Sequence, residues 1–481
     1  MAWEALSTML VQTPGQISGL DKKNMEILNE LFVIYNNHFS ANMKKNKYYE
    51  GKVTLNDVNL GIALPNGMKD VGIGCSWGAK TVDVLAARSM FDGFVNENGS
   101  YDKLLSQIVT ENNLIAEYIK ACRDELKFGC TFATFSRDDK SKCKIRFHSP
   151  LTSAAKWDGA KNRIAYGFAI IANEEIDGSL IPTIINLYTD KATWVLTYYK
   201  ATQSWKAVGY PHSLGVPLMV PLIWNATSVK PFGRSRIKYP IRELINSYVR
   251  TVANATIGLE FSTAPQKYLL GITDEQYSAV IDNKFKQYVG NILAATTNPE
   301  TGEKPTFGQL QQGTLSPHVE MMRMIATQFS AATGLPVTDT GVVNDANPTS
   351  SDAIIAQTKT LVGMAEELNA GNGNALKTIA MMALAIAQSK KLEDLTDDEK
   401  AVVAHFKNPA MPSVASTTDA AMKIASVRQG FSETDVFLEM VGFDQADIRR
   451  IKSQEQKARG ADLVTELDEQ DNINEYYAYF E

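Results

Sequence analysis

Between Gly233 and Ala387 the apolar positions of the chain fall into three separate helical runs. In the first, Ile237, Ile241, Leu244, Ile245, Tyr248, Val249 and Val252 recur at the spacing of one helix face. Pro240 fits there only in the first turn, where its missing N–H is not needed. The second run, Val319, Met322, Ile325, Ala326 and Phe329, has Ser316 placed as N-cap, Pro317 at the first helical position, and Gly334 and Pro336 to end it. The third follows the capping cluster Asn347-Pro348-Thr349-Ser350-Ser351-Asp352 and persists to Ile386. Its middle reads Asn369-Ala370-Gly371-Asn372-Gly373-Asn374, and two glycines cost roughly 1 kcal/mol each relative to alanine, so a kink or break is expected.

Upstream, Met1–Leu20 reads as a mobile lead-in, and Asp21 caps a helix marked by Met25, Leu28, Phe32 and Tyr35. Lys44, Lys45, Lys47 and Lys52 surround Tyr48 and Tyr49; a solvated helix end is one reading, a contact with a neighbouring subunit or DNA the other. Val82, Leu85, Ala86 and Met90 suit a core helix closed by Gly93, and Ala116–Lys127 another helix. From Thr131 the pattern turns to short β-branched or aromatic segments: 145–147, 164–172, 183–188, 194–199 and 204–208, with Asp177-Gly178 as a turn. They predict an antiparallel meander, with Trp157-Asp158 between strands and extended chain from Pro211 to Pro221. Residues 264–314 contain candidate strands at Tyr268–Leu270 and Ile292–Ala294 and a candidate helix at Asp274–Tyr288. An insertion of roughly fifty residues between two helices is long for a passive loop. Beyond Gln388 the chain predicts an acidic turn and helix start at Glu393–Glu399. A helix to Val427 capped by Ser416-Thr417-Thr418-Asp419 follows, then short helices at Ser432–Val441 and Gln445–Lys452. Ala461–Glu481 is acidic, lacks basic residues and ends in Tyr476, Tyr477, Tyr479 and Phe480, so it either frays or docks on a partner.

The 481 residues exceed one ordinary core, and two to four structural units are expected. A hydrophobic content of 44% with 21% charged residues fits a folded soluble protein. No apolar run reaches the roughly 20 residues that span a bilayer, and Met1–Gln16 lacks the pattern of a secretory signal. Cys75, Cys122, Cys130 and Cys143 include no C-x-x-C pair and are expected as reduced thiols. The net charge of −6 argues against gripping nucleic acid by phosphate neutralisation, although an acidic wall would let DNA slide through a conduit.

Chemistry-bearing motifs are missing. Gly72 to Thr81 resembles a phosphate loop only loosely, because Ala79 separates Gly78 from Lys80 and the template needs lysine directly after the final glycine. His38, His148, His212, His318 and His405 stand apart from one another and from cysteine, and no G-x-S-x-G elbow occurs. No catalytic residue, metal ligand or cofactor is therefore expected. Carboxylates assembled in space, as in a metal-dependent nuclease or nucleotidyl transferase, remain an alternative, as does a non-ring soluble binding protein.

An ordered set of segments carries a family resemblance. They are Tyr48-Tyr49-Glu50-Gly51-Lys52, Gly61-Ile62-Ala63-Leu64-Pro65, the Val82–Phe94 stretch, Gly233-Arg234-Ser235, Ala264-Pro265-Gln266-Lys267, Thr333-Gly334-Leu335-Pro336, and Asn347 to Ala353. In this order the chain resembles the portal proteins of tailed bacteriophages, in the branch of long-tailed phages of Gram-positive hosts. The resemblance implies an α+β, mostly helical portal fold. Its parts would be the helical part of a wing (1–135), a β-rich wing (136–232), stem helix one (233–263) and a small α/β clip (264–314). Stem helix two (315–334), a tunnel loop (335–349), a long helix expected to kink (350–390), a helical crown (391–460) and the acidic aromatic tail (461–481) would follow. It implies a virion subunit at one capsid vertex, assembled in the host cytoplasm as a ring of twelve copies. Double-stranded DNA would pass through that ring during packaging and ejection. The implied partners are the terminase large subunit, head–tail connector proteins, the major capsid protein and a scaffolding protein, with no membrane. By the same resemblance Asp339, Thr340, Asp345 and Asn347 would face the DNA channel. Arg234, Arg236, Lys238, Arg242, Arg250 and Arg323 would lie on the stem, and Lys267, Tyr268, Lys284 and Lys286 on the clip's docking face.

Overall fold

The computed structural model describes residues 17–54, 57, 73–96, 103–137, 142–176, 179–263, 267–271, 302, 304, 306–309, 314–341, 351–410, 414–444 and 447–459. The order begins β1 (Ile17–Ser18), α1 (Lys22–Tyr49), α2 (Trp77–Ala86), β2 (Phe91–Asn96), α3 (Lys103–Glu111) and α4 (Leu114–Phe128). Eight strands follow: β3 (Cys130–Arg137), β4 (Cys143–His148), β5 (Ser153–Asp158), β6 (Arg163–Ile176), β7 (Ser179–Tyr188), β8 (Ala192–Tyr199), β9 (Ser204–Pro211) and β10 (Met219–Ile223). Then come α5 (Tyr239–Thr263), β11 (Lys267–Leu270), β12 (Thr306–Gln309), α6 (Ser316–Thr333) and α7 (Ser351–Gln388). The described chain closes with α8 (Asp397–Lys400), β13 (Val402–Phe406), α9 (Val414–Val427), α10 (Asp435–Val441) and α11 (447–459).

Two compact units divide these elements. One comprises Met1–Lys45, Val82–Arg236 and Ile355–Glu481, the other Asn46–Thr81 and Ile237–Ile354. In the first, β5 to β9 form the antiparallel meander, extended by β1 to a six-stranded sheet of order β1-β9-β8-β7-β6-β5. Helix α1 lies on this sheet because Leu28, Leu31, Phe32, Tyr35 and Phe39 all fall on one face and are buried against Phe168, Ile185, Leu187 and Leu196. The ring of Phe32 meets Phe168 edge-on at 5.1 Å, and Tyr35 Oη donates to Leu151 O at 2.7 Å. Strands β10-β3-β4 form a second antiparallel sheet, and β13 pairs with β2.

Several expectations change. Ile17 and Ser18 pair in parallel with Trp205 and Lys206, so part of the supposed lead-in belongs to the sheet. Helix α1 runs on through the lysine cluster, where Lys45 Nζ donates to Phe128 O at 3.1 Å and Lys47 pairs with Asp57 at 2.7 Å, while Lys44 stays exposed. The helix ending at Ala86 leaves Met90 outside it, and Gly93 sits within β2 at φ 127°. Trp157 and Asp158 end β5, the indole packed edge-on against Phe232 at 5.5 Å. Strand β13 stands in a region read as wholly helical, and α9 begins at Val414, which puts Ser416–Asp419 inside it. Asp177-Gly178, 274–288, 292–294 and 461–481 lie outside the described residues.

The expected kink is absent: α7 is continuous through Asn369–Asn374. Burial outweighs the propensity deficit, because Asn372 is fully buried and bonded to α4, with Leu368, Leu376 and Ile379 buried on either side. A Cβ at Gly371 would have no neighbour nearer than 4.0 Å, and one at Gly373 would meet Phe406 at 3.7 Å, both ordinary contacts. Gly371→Ala and Gly373→Ala should therefore each raise stability by about 0.5–1 kcal/mol, read from denaturant midpoints.

Candidate functional site

The second unit is built on α5 and α6, the two helices that flank the antiparallel β11–β12 pair. Ile241, Ile245, Val249 and Ala253 recur every four residues along α5 and are buried, as are Ile325, Ala326 and Phe329 of α6. Between them lies Trp77, 3% exposed, its rings 4.3 Å from Tyr248 and 4.6 Å from Phe329, the latter stacked at 30°. Its Nε1 donates to Thr340 O at 3.0 Å. One side chain thus joins α5, α6 and the 3₁₀ turn Val337–Thr340 that follows α6.

Neighbouring residues explain why Trp77 can reach this position. A Cβ on Gly78 would fall 2.0 Å from Tyr48 O, so only glycine lets α2 approach the end of α1 within this unit. The glycine read against a phosphate-loop template therefore serves close backbone packing. Tyr48 is buried and donates to Asn246 Oδ1 at 2.8 Å, while Arg242 stands 5.9 Å over its ring. Burial pushes the Cys75 thiol up to about 11, which makes it a core residue and a poor nucleophile at neutral pH.

Helix α6 starts at Ser316, one residue earlier than expected. Leu315 occupies the N-cap without a side-chain bond, Ser316 is already helical, and Pro317 stays in the first turn. The other end follows expectation: Gly334 at φ 72° donates its N–H to Ser330 O. The chain then tightens into the 3₁₀ turn despite Pro336. Asp339 is half-buried on this turn, whereas Thr340 is 8% exposed, its hydroxyl donating to Val337 O. Asp345 and Asn347 lie outside the described residues.

The basic residues divide by position. Arg234, Arg236 and Lys238 precede α5, which begins at Tyr239 with Pro240 in its first turn. Arg234 and Lys238 are exposed. Arg236 is 7% exposed in the first unit, with Nη1 3.3 Å from Met364 Sδ and the guanidinium 5.9 Å from the Trp224 ring. Burial lowers its pKa to about 10. It is a packing residue of that unit. Arg242 and Arg250 are half-buried on α5, and Arg323 is exposed on α6. Lys267 and Tyr268 pair with Gln309 and Gly308 across β11–β12; Lys284 and Lys286 lie outside the described residues.

Among the described residues no group of three or more His, Cys, Asp or Glu side chains is placed to hold a metal ion. No helix among them is long and apolar enough to cross a membrane. His405 has carboxylates that the sequence did not reveal: Glu439 at 3.6 Å and Asp92 at 3.9 Å. Glu439 foremost holds its pKa above the usual value.

A family model described as phage portal protein, SPP1 Gp6-like, matches residues 29–461. Solved structures also resemble the chain, two of them necks of GTA particles. The first, the neck of a native GTA particle computed with C12 symmetry, shares 11% identity at a TM-score of 0.45 and covers 77% of this chain and 90% of that one. The second, the neck of an empty GTA particle computed with C6 symmetry, gives 10% identity, a TM-score of 0.44 and the same coverage. No curated protein matches the chain.

Trp77 is the residue sequence reasoning missed. Trp77→Phe should cost about 1–2 kcal/mol by orphaning Thr340 O, and Trp77→Ala about 3–5 kcal/mol, in urea unfolding followed by circular dichroism. An unchanged stability in Trp77→Phe would mean that the indole N–H contributes nothing.

Proposed function

This chain belongs to the SPP1 Gp6-like family of phage portal proteins, and we propose that its copies close into a ring through which double-stranded DNA enters and leaves a capsid. The match over residues 29–461 carries this reading, and the family is a structural one. The second unit supports a side-by-side arrangement. Val319 (42% exposed), Met321 (40%) and Met324 (48%) on α6, with Leu259 (47%) on α5, are apolar side chains uncovered in the single copy. A neighbouring copy offers the same surface again, and closure of a ring removes the free ends.

On this reading α5 and α6 form the stem, residues 264–314 the clip, residues 335–349 the channel-facing loop, and the chain beyond α7 the crown. The clip takes the terminase large subunit during packaging and head–tail connector proteins afterwards, while the outer face meets the capsid and scaffolding proteins. ATP hydrolysis belongs to that separate motor. Twelve copies, placed at one capsid vertex, give the ring. Acidic residues such as Asp339 leave DNA free to slide, because a carboxylate offers phosphate no ion pair.

Native mass of the purified chain tests ring closure: a multiple of the 53.0 kDa subunit is expected, and a compact monomer under all conditions overturns it. Met324→Glu should shift the assembly toward monomers without unfolding the subunit. Replacing Asp339 and Asp345 by lysine should slow packaging several-fold while rings still form; unchanged packaging removes both from the channel.

A further inference from the structure

Helix α7 carries Asn372 into the interior of the first unit, where its amide meets the carboxyl group of Glu125 on α4, both side chains fully buried. Asn372 Nδ2 donates to Glu125 Oε2 at 2.8 Å and to Tyr118 Oη at 2.9 Å, which occupies both of its hydrogens. Tyr118 Oη in turn lies 2.7 Å from Ser89 Oγ. Two acceptors of the same pair are left over. Glu125 Oε1 and Asn372 Oδ1 are shut off from water, and neither has a hydrogen-bond donor among the described residues.

An ionised carboxylate would leave both oxygens without a donor from the protein in a buried site. A single proton carried on Glu125 Oε1 and donated to Asn372 Oδ1 would satisfy both, while Nδ2–H is donated to Oε2. We propose that Glu125 is held as the neutral acid and that its proton latches α7 to α4 through a cyclic acid–amide pair with Asn372. The titratable groups facing the carboxyl are Tyr118 and Cys122 on its own helix and Cys130 on β3. Burial raises all three, so they are neutral when Glu125 is. Burial also pushes Glu125 up to about 8, opposed by the Asn372 hydrogen bond. The pair further accounts for an asparagine between two helix-weakening glycines: its amide fixes the turn that they would loosen.

The pH dependence follows from linkage. Glu125 has a raised folded-state pKa, so its contribution to stability is fully present below about 4.5 and lost as pH rises through about 8. Glu125→Gln replaces the acid by an amide of the same shape that keeps both hydrogen bonds without a titrating proton; Glu125→Ala removes them.

Thermal unfolding of the full chain across about pH 4.5 to pH 9 tests the latch. The wild-type midpoint should fall by several degrees relative to Glu125→Gln, which should match the wild type at the acidic end while Glu125→Ala melts lower throughout. Infrared difference spectra, wild type minus Glu125→Gln, should show one protonated-carboxyl band at pH 7 that disappears near pH 8. A Glu125→Gln variant as unstable as Glu125→Ala at the acidic end, or no such band at pH 7, overturns the proposal. Should Glu125→Gln fail to fold, the wild-type spectrum decides: a protonated-carboxyl band titrating near pH 8 supports the latch, and its absence sinks it.

Discussion

The second unit depends on the burial of one indole. Trp77 presents an aromatic face to Tyr248 on α5, packs on Phe329 of α6, and spends its only polar group on Thr340 O. Its apolar body supplies much of the driving force that holds two long helices together, and its N–H fixes where the chain turns after α6. A phenylalanine would supply much of the first effect and none of the second. Position and register are therefore set together, at the point from which the chain continues toward residues 342–350. Gly78 belongs to the same constraint, since the approach that seats the indole leaves no room for a Cβ opposite Tyr48 O.

The first unit solves a different problem. Its six-stranded sheet needs a cover on one face, and α1 provides it through aromatic and leucine side chains at helical spacing. Helix α7 is held by polar as well as apolar contacts: Leu368, Leu376, Ile379 and Leu384 are buried, and Asn372 enters the interior among them. Arg137 reaches the other end of α7, donating to Ile386 O and Ser389 Oγ, which places a cation at a helix C-terminus. Hydrophobic burial thus fixes the layers, while a few buried hydrogen bonds fix how α7 is oriented within them.

Long elements were legible because many residues vote for the same period. The buried face of α5, the end of α6 at Gly334 and the strands β6 to β9 of the meander all follow the pattern of their own residues. Elements that exist through a partner were not legible. Strand β1 has two residues and depends on Trp205 and Lys206; β13 is Val-Val-Ala-His-Phe, without alternation, and depends on β2. The glycines of α7 signalled weakness correctly as propensity, but propensity of roughly 1 kcal/mol per residue cannot compete with a fully buried turn. The family resemblance put Arg236 on the stem; its burial against Met364 and Trp224 could be seen only in three dimensions.

The uncovered residues of α6 connect this packing to the proposed assembly. Phe329 and Ile325 face α5, and the helix is too narrow to bury its remaining apolar positions there as well. Val319, Met321 and Met324 are therefore left uncovered in the single copy. In the ring proposed above, methionine suits such a contact, because its unbranched side chain adapts to the surface of a neighbour. A hydrogen-bonded interface in the same place would lose its bonds with each small rotation, whereas dispersion contacts between flexible side chains change gradually. On that proposal the same helix pair is rigid within a subunit, through Trp77, and adjustable between subunits.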